Sequence, residues 1–249
     1  MDKAGQLSGR TALVTGGGSG LGRAICLSLA AQGAHPVAGD IDLDGAKTTV
    51  ALVEDAGHSA TAVHLDVADH PSRTSVMKSL FEQHGESFDI LVNCAGLDRP
   101  GYMADLDLDQ YRTVFGVNCE GPVFLMSEFV KRVKDRNGTT LAEIVNIISI
   151  SAVTVGSGAV AYNSSKAALA KATEVCQLEI YENNYPCRVQ GIMPAAMDTP
   201  MMEQWGIPKD RMMDPADVAA EVVHAVTRPR SAYGQNLVIV PPREPNFPR

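Results

Sequence analysis

This chain lacks the features that mark several classes of protein. It contains no apolar run of about 18 residues, the length that a membrane-spanning helix requires. Its formal net charge is −8, whereas a nucleic-acid-binding surface is normally basic. Its five cysteines include no Cys-x-x-Cys pair, and an odd, widely spaced set favours free thiols in a reducing cytosol over a disulfide framework. We therefore expect neither a membrane nor a nucleic-acid partner.

The sequence also gives no reason to expect a secretory signal or a metal site. The first ten residues carry charged and polar side chains and no apolar stretch resembling a secretory signal, so we expect a cytoplasmic protein. His58, His64 and His70 lie near Asp66 in the sequence, but no close cluster of histidine and cysteine accompanies them. Lone histidines in a polar loop region are more often solvated than bound to zinc. We therefore expect no metal.

Apolar runs alternate with helical patterns along the chain. The strand-like runs are Ala12–Thr15, Pro36–Gly39, Ala60–Leu65, Asp89–Val92, Ile144–Ile148, Arg188–Ile192 and Leu237–Val240. The helical stretches include Leu43–Ala56, Ser72–His84, Leu108–Lys134, Tyr162–Tyr181 and Pro215–Thr227. Continuous Val, Ile and Leu runs are typical of parallel strands covered on both faces. The order predicts an α/β fold, a doubly wound parallel sheet in a single domain over residues 1–249, with its ligand crevice at the carboxyl ends of the strands.

A glycine-rich turn follows the first strand and opens a helical pattern. Its residues are Gly16, Gly18, Ser19, Gly20, Leu21 and Gly22. A strand, a glycine turn and a helix N-terminus form an anion site, because free backbone N–H groups and the helix dipole both point at it. The turn lacks the Gly-Lys-Ser/Thr of an ATP-binding P-loop and does not fit G-x-G-x-x-G. The pattern that remains is Thr-Gly-x-x-x-Gly-x-Gly; a flexible turn without ligand is the alternative.

Tyr162 and Lys166 are one helical turn apart and therefore share a helix face. A phenol has a reference pKa of about 10, and bringing it to about pH 7 needs roughly 4 kcal/mol of preference for the phenolate. A nearby ammonium favours the phenolate by Coulomb attraction. Tyr-x-x-x-Lys also occurs by chance on solvated helix faces. The pair gains weight from the glycine turn upstream, where a nucleotide would be held.

Thr-Gly-x-x-x-Gly-x-Gly followed by Tyr-x-x-x-Lys resembles the short-chain dehydrogenase/reductase family, from about Leu7 to about Val240. Further segments match that family. Asn93–Gly96 stands where the family has Asn-Asn-Ala-Gly, with cysteine at its second position, and Pro194–Thr199 resembles Pro-Gly-x-Val-x-Thr. Asn118 and Ser149 match the family's catalytic asparagine and serine, and Ser151 is the nearest rival of Ser149. The resemblance implies a Rossmann-like, nucleotide-binding oxidoreductase.

The coenzyme-binding residues that the resemblance implies lie after successive strands. They are Gly16, Gly18, Ser19, Gly20, Leu21, Gly22, Asp40, Asp66, Val67, Asn93, Ala95, Gly96, Tyr162, Lys166, Pro194, Ala195, Met197 and Thr199. Asp40 ends the second strand, where a carboxylate accepts hydrogen bonds from the adenosine ribose and repels the 2′-phosphate of NADP. Ser19 stands where relatives that use NADP often carry a basic residue. We therefore expect NAD in preference to NADP; the alternative is that Asp40 only caps a turn.

The resemblance also implies the reaction, which is hydride transfer between NAD(H) and a secondary alcohol or ketone. Tyr162 is expected to be the general acid or base, and Ser149 to bind the substrate oxygen. Lys166 is expected to lower the pKa of Tyr162 and to hold the nicotinamide ribose. Asn118 is expected to hold a water that connects Lys166 to solvent.

The substrate pocket is expected under a lid around residues 195–214. Six of the ten methionines fall in or next to this segment, beside Trp205 and Ile207: Met193, Met197, Met201, Met202, Met212 and Met213. Because methionine adapts to irregular apolar space, we expect a largely apolar small-molecule alcohol or ketone; ordinary core packing is the alternative. Asp214 and Pro215 predict the N-cap and the first position of the next helix. The proline-rich segment 241–249 predicts an extended tail.

Two other functions stay open. An NADPH-dependent 3-oxoacyl-[acyl-carrier-protein] reductase is the first, although such reductases usually end in a Val-Asp-Gly-Gly segment that this chain lacks. A non-catalytic dinucleotide-binding regulator is the second, although such members of the fold typically lack the tyrosine or the lysine. The long fourth and fifth helical segments match those through which the family forms dimers and tetramers, so a homo-oligomer, a tetramer or a dimer, is expected.

Overall fold

The computed structural model describes residues 5–137, 140–232 and 234–241, and within them seven parallel strands form one sheet in the order β3-β2-β1-β4-β5-β6-β7. The strands are β1 (Thr11–Thr15), β2 (His35–Asp40), β3 (Thr61–His64), β4 (Phe88–Asn93), β5 (Ala142–Ile147), β6 (Cys187–Pro194) and β7 (Asn236–Ile239). The helices are α1 (Gly20–Ala31), α2 (Leu43–Asp55), α3 (His70–His84), α4 (Leu108–Phe115), α5 (Gly121–Val133), α6 (Val160–Glu182) and α7 (Pro215–Thr227). The predicted α/β fold with a doubly wound parallel sheet is confirmed.

Helices cover both faces of the sheet. Successive side chains of β1 point to opposite faces, so Ala12 and Val14 pack in one core and Leu13 in the other. Helices α1 and α7 cover the first core, and helices α3, α5 and α6 cover the second. Burial on both sides explains why these strands are continuous apolar runs.

The strand order reverses between β1 and β4, and the two loops that leave these strands touch. The Thr15 hydroxyl oxygen accepts hydrogen bonds from the backbone N–H groups of Cys94 and Ala95, at 3.0 Å each. In an open α/β sheet, ligands bind in the crevice that this reversal creates at the carboxyl ends of the strands. The fold therefore puts a binding crevice beside the glycine turn.

The predicted helical stretch Leu108–Lys134 is divided by a π-helical turn at Gly116–Glu120. Pro122 has no N–H group, so it cannot donate to the carbonyl oxygen of Asn118 as an α-helical residue would. The Gly121 N–H bonds the carbonyl oxygen of Gly116 instead. A side chain at Gly121 would lie 2.5 Å from the Val67 carbonyl oxygen, so glycine is required there. Asn118 lies in the middle of this π-helical turn, and such turns are frequent at functional sites.

Within the described ranges, no helix has the length and apolar character needed to cross a bilayer. The predicted extended tail, 241–249, lies outside the described residues except for Pro241.

Candidate active site

A cavity of 790 Å³ opens at the carboxyl ends of the strands and includes most of the predicted site residues. The side chains or backbone of Ser149, Tyr162 and Lys166 line it, together with the glycine turn. Asp40, Asp66–Val67, Ala95–Gly96 and the predicted positions in Pro194–Thr199 line it as well. The predicted site residues Gly18, Asn93 and Asn118 do not line the cavity. The structure therefore brings together residues that are up to 183 positions apart, from Gly16 to Thr199.

The backbone of the glycine turn packs too closely for side chains at two of its positions. Gly16 has φ +70°, and a Cβ there would lie 2.8 Å from the Ala95 Cα. A Cβ on Gly22 would lie 2.0 Å from the Gly16 carbonyl oxygen. Helix α1 begins at Gly20, and its N-cap residue Ser19 makes no side-chain cap hydrogen bond within the described part of the chain. The first N–H groups of α1 are thus available to an anionic group such as a pyrophosphate.

Asp40 both holds a turn and lines the cavity. Its carboxylate accepts hydrogen bonds from the backbone N–H groups of Gly18 (2.8 Å) and Asp42 (2.9 Å). The neighbouring cation, Arg23, donates to the Gly18 carbonyl oxygen and to the Thr49 hydroxyl (3.1 Å). This end of the cavity therefore combines a fixed carboxylate with an arginine that is already committed to internal hydrogen bonds.

Tyr162 lies in the first turn of α6 and forms a hydrogen bond with Ser149, which follows β5. Ser149 is buried, and its hydroxyl oxygen accepts a hydrogen bond from the backbone N–H of Ser151 (3.1 Å). Ser151 also lines the cavity, but Ser149 is the serine that contacts the tyrosine. This geometry favours Ser149 over its rival.

In the coenzyme-free protein, burial is the largest cause of the pKa shifts of Tyr162 and Lys166. It raises the pKa of Tyr162 to about 12; the hydrogen bond with Ser149 opposes this rise, and the charges of Asp98 and Cys94 add to it. It lowers the pKa of Lys166 to about 8. The Lys166 ammonium donates to the Ile147 carbonyl oxygen (2.9 Å) and lies 5.7 Å from the centre of the Tyr162 ring. Desolvation therefore keeps the phenol protonated in the coenzyme-free chain, and the lowered pKa of Tyr162 expected from the sequence stays a prediction for the coenzyme-bound state.

Asn118 is fully buried and holds the loop that follows β4. Its side-chain amide donates to the Leu97 carbonyl oxygen (2.8 Å) and to the Ser165 hydroxyl (3.1 Å), and its oxygen accepts from the Leu97 N–H (2.7 Å). A Cβ on Gly96 would lie 3.7 Å from the Asn118 oxygen and 3.8 Å from the Lys166 nitrogen. The asparagine thus positions the cavity wall next to the lysine, although it does not form that wall itself.

Asn93 points into the protein interior instead of the cavity. Its side-chain amide donates to the Asn146 oxygen (2.8 Å), and the Asn146 amide donates to the Thr173 hydroxyl on α6 (2.8 Å). Asn93 and Asn146 are register partners in the β4–β5 pair. The side chain of Asn93 therefore ties the sheet to the helix that carries Tyr162.

The segment predicted as a lid forms short 3₁₀ helices at Pro200–Trp205 and Lys209–Arg211. Met197, Met201 and Met202 line the cavity with Trp205 and Ile207. Met193 and Met213 are buried in the two cores. The predicted methionine cluster thus divides between cavity wall and ordinary packing. Asp214 caps α7 by accepting from the Ala216 N–H (2.8 Å), and Pro215 is its first residue, so that prediction is confirmed.

Asp98 is a candidate site residue that the sequence does not predict. It lines the cavity and is only 5% exposed. Its Oδ2 accepts a hydrogen bond from the indole Nε1 of Trp205 (2.9 Å), and burial raises the pKa of its carboxyl. Its Oδ1 is buried and has no hydrogen-bond partner among the described residues. Its position shortly after Gly96, at the carboxyl edge of the sheet, is the signal that could have found it.

The comparisons with known proteins agree with this geometry. The family model described as short chain dehydrogenase matches residues 10–209. The 2,3-dihydro-2,3-dihydroxybenzoate dehydrogenase of Bacillus subtilis is 31% identical over 244 residues, which cover 89% of this chain and 90% of the relative. The 3-oxoacyl-[acyl-carrier-protein] reductase FabG of Thermotoga maritima is 29% identical over 246 residues, 94% of this chain and 96% of the relative. A solved structure from Burkholderia xenovorans superposes with a TM-score of 0.85 at 31% identity, covering 95% of this chain and 97% of that one.

Proposed function

This chain belongs to the short-chain dehydrogenase/reductase family, and from that membership we propose that it is an NAD-dependent enzyme that oxidises a secondary alcohol or reduces the corresponding ketone. The observation that carries the proposal is the meeting of Tyr162, Ser149 and Lys166 on the wall of the cavity that the glycine turn also lines. A nicotinamide dinucleotide fits these residues, since the glycine turn and Asp40 line the same cavity and no side chain caps the first N–H groups of α1 among the described residues. When bound, the coenzyme supplies the hydride chemistry.

Each polar group has a separate task in this proposal. Tyr162 takes the proton of the substrate hydroxyl during oxidation and returns it during reduction. Ser149 donates a hydrogen bond to the substrate oxygen, where negative charge develops. Lys166 would hold the nicotinamide ribose hydroxyls and would favour the phenolate by its charge. The Asn118 side chain positions Leu97 and the Ser165 hydroxyl. Its backbone carbonyl oxygen receives no hydrogen bond from Pro122, which has no N–H, and would accept one from a water that leads to solvent.

The pKa of Tyr162 in the coenzyme-free chain determines how much additional stabilisation the phenolate needs in the bound state. Bringing the phenol from about 12 to near pH 7 requires roughly 7 kcal/mol of added preference for the phenolate, at about 1.36 kcal/mol per pKa unit. The sources in this proposal are the Lys166 ammonium and the positive charge of the oxidised nicotinamide. The free protein keeps Tyr162 protonated, and in this proposal its phenol would become acidic only when a coenzyme is bound.

NAD in preference to NADP is supported by charge. The Asp40 carboxylate lines the cavity and stays fixed by two backbone N–H groups. A 2′-phosphate beside it would meet a like charge, and the Arg23 guanidinium that could compensate is bonded to the turn itself. Ribose hydroxyls would instead donate to the carboxylate oxygens.

The test compares Tyr162→Phe with Tyr185→Phe, which lies after α6 and away from the cavity. We expect Tyr162→Phe to bind NADH with unchanged affinity, measured by fluorescence, and to lose about 10²- to 10⁴-fold in kcat, as the removal of a general acid or base does. Tyr185→Phe should keep both properties. Full turnover by Tyr162→Phe would end the proposal.

The Thermotoga maritima relative is a 3-oxoacyl-[acyl-carrier-protein] reductase and so supports a second candidate, reduction of 3-oxoacyl thioesters. The coenzyme expected for this alternative is NADPH. The two candidates separate in one assay that measures NADH and NADPH oxidation with acetoacetyl thioesters and with simple cyclic ketones. Faster turnover of NADPH with the thioester would select the second candidate and overturn the argument from Asp40.

A homo-oligomer, the lid over the substrate and a cytosolic site of action also belong to this proposal. Val175, Leu178 and Tyr181 are exposed apolar residues on α6, and Phe124 is exposed on α5. Such a surface is typical of subunit contacts. Light scattering of Leu178→Asp against the unchanged chain tests it: a monomer in both would refute the oligomer.

A further inference from the structure

Arg73, near the start of α3, is a buried cation that forms no ion pair with any described residue. It is only 3% exposed, and its Nε is buried without a hydrogen-bond partner in the same part of the chain. Burying a charge without a counter-ion is costly, and an apolar side chain of similar volume is often more favourable at such a position. The arginine therefore needs a reason other than stability.

Two contacts hold the Arg73 guanidinium in place. Its Nη1 donates to the backbone carbonyl oxygen of Val67 (2.5 Å). Its Cζ lies 5.0 Å from the centre of the Phe124 ring on α5, which is a cation–π distance. The same carbonyl oxygen lies against the start of α5, since a Cβ on Gly121 would lie 2.5 Å from it. The guanidinium thus fixes the loop that follows β3 between two helices, α3 and α5.

The contact with Val67 reaches the carboxylate of Asp66 through one peptide group. The Val67 carbonyl and the Ala68 N–H belong to the same planar peptide, and that N–H donates to Asp66 Oδ1 (2.8 Å). Hydrogen bonds in a chain polarise one another, so a cation on the carbonyl oxygen strengthens donation by the N–H. Asp66 is half-buried on the cavity wall, and its Oδ2 accepts no hydrogen bond from the described residues. Arg73 therefore fixes one carboxylate oxygen, and the other is available to a ligand.

Asp66 lies at the end of the cavity opposite to the proposed reacting groups. Along the sheet, the glycine turn follows β1, Asp40 follows β2 and Asp66 follows β3, and all three line the cavity. Ser149, which contacts Tyr162, follows β5 on the other side of β1. A dinucleotide with its nicotinamide at Tyr162 and its pyrophosphate at the turn would therefore bring its adenine to Asp66.

We propose that Arg73 is a positioning residue for the adenine half of the coenzyme: it fixes the peptide that holds Asp66, and the Asp66 carboxylate accepts a hydrogen bond from the adenine amino group. This inference rests on the proposed function. The exocyclic amino group of adenine is a donor, and an ionised carboxylate only accepts, so the two match. Arg73 itself does not line the cavity, so it acts through Asp66 and not on the coenzyme directly.

The test compares the binding of NADH with that of deamino-NADH, in which a carbonyl oxygen replaces the adenine amino group. Both are followed by the fluorescence of the dihydronicotinamide that they share. The unchanged chain should bind NADH about tenfold or more tightly than deamino-NADH, because the carboxylate accepts from the amine and repels the carbonyl oxygen. Equal affinities would overturn the inference.

Arg73→Met is the informative variant, because methionine is unbranched and apolar and has no donor. It should weaken NADH binding by about tenfold and leave deamino-NADH binding unchanged or stronger, since only the amine depends on the fixed carboxylate. A merely structural role would weaken both coenzymes equally. That result, or undiminished NADH binding, would overturn the inference.

Lys78→Met is the matched control, because Lys78 lies on the same helix but is exposed and pairs with Glu82. It should bind both coenzymes as the unchanged chain does. In an Asp66→Asn background the effect of Arg73→Met should disappear, since both changes act through one carboxylate; additive losses would contradict the inference.

Unfolding temperatures show whether Arg73→Met is folded. If it is not, Arg73→Lys takes its place, because lysine keeps the charge and loses the planar group that lies against Phe124. Its preference for NADH over deamino-NADH should fall by about threefold or more, as expected for a weakened hydrogen bond. An unchanged preference in this variant would refute the role of Arg73.

The inference and the proposed function fail on different results. Equal losses for both coenzymes in Arg73→Met would end the role of Arg73 and leave the dehydrogenase intact. If the chain oxidises alcohols, the variant should raise KM for the coenzyme and keep kcat. If no alcohol or ketone reacts, the selective loss of NADH binding still decides the inference. A chain that binds neither coenzyme would overturn both.

Discussion

Replacing Lys166 by methionine should stabilise the coenzyme-free protein while removing its activity. Burial lowers the pKa of this lysine from 10.5 to about 8, and a shift of this size corresponds to roughly 3 kcal/mol of destabilisation of the folded state when the lysine is charged. Methionine has a similar unbranched chain and no charge. Loss of the hydrogen bond to the Ile147 carbonyl oxygen lowers the stability of the variant by about 1–2 kcal/mol. The net expectation is a gain of about 1–2 kcal/mol at pH 7.

The sign of the pH dependence makes this prediction specific. Between pH 8 and 10.5 the unfolded chain keeps the Lys166 proton and the folded protein has released it. The unfolded state binds more protons in this window, so the stability of the unchanged chain rises with pH. The advantage of Lys166→Met should therefore be constant below pH 8, shrink as the pH rises above 8, and be gone before pH 10.5, where only the loss of the hydrogen bond remains.

Urea unfolding of the coenzyme-free protein at several pH values from 7 to 10 measures the effect. Lys171→Met is the control, because Lys171 lies on the same helix but is exposed and pairs with Glu174 at the surface. It should change the free energy of unfolding by less than about 1 kcal/mol. A variant at Lys166 that is less stable than the unchanged chain at pH 7, or whose advantage does not shrink with pH, would refute the reasoning.

Two further predictions concern the coenzyme. Asp40→Ala should relax the NAD preference, because it removes the charge that would face the 2′-phosphate of NADP. The ratio of kcat/KM for NAD to kcat/KM for NADP should fall by about tenfold or more. An unchanged enzyme that already prefers NADP would contradict this prediction. Gly22→Ala would put a Cβ 2.0 Å from the Gly16 carbonyl oxygen, so NADH affinity and Tm should both fall. Gly116→Ala, whose Cβ would lie at an ordinary 3.6 Å from the nearest atom, should leave Tm unchanged or raise it, as measured by calorimetry.

The parts of the structure that depend on short stretches of sequence could be predicted. Strand β3 was expected at Ala60–Leu65 and lies at Thr61–His64, and α7 begins and ends at the predicted Pro215 and Thr227. Apolar periodicity and the Asp-Pro cap determine these elements locally. The family's motifs then located the glycine turn, Ser149, Tyr162 and Lys166 on one cavity.

The parts of the structure that depend on contacts between distant residues could not be predicted from the sequence. The hydrogen bond between Trp205 and Asp98 joins residues 107 positions apart, and no short-range pattern reports it. The inward direction of Asn93 depends on its register partner in β5. The raised pKa of Tyr162 follows from burial by all the walls around it, whereas spacing shows only its lysine neighbour.

The amide chain from Asn93 through Asn146 to Thr173 also selects one alignment of the strands during folding. The two asparagines meet only in the observed β4–β5 pairing, and a slip of one residue would send their amides to opposite faces of the sheet. Each stranded amide would then cost about 1–3 kcal/mol in the dry interior. Because Thr173 belongs to α6, a misaligned sheet would also misplace the helix that bears Tyr162. Such a fold would be less stable than the observed one even without a coenzyme.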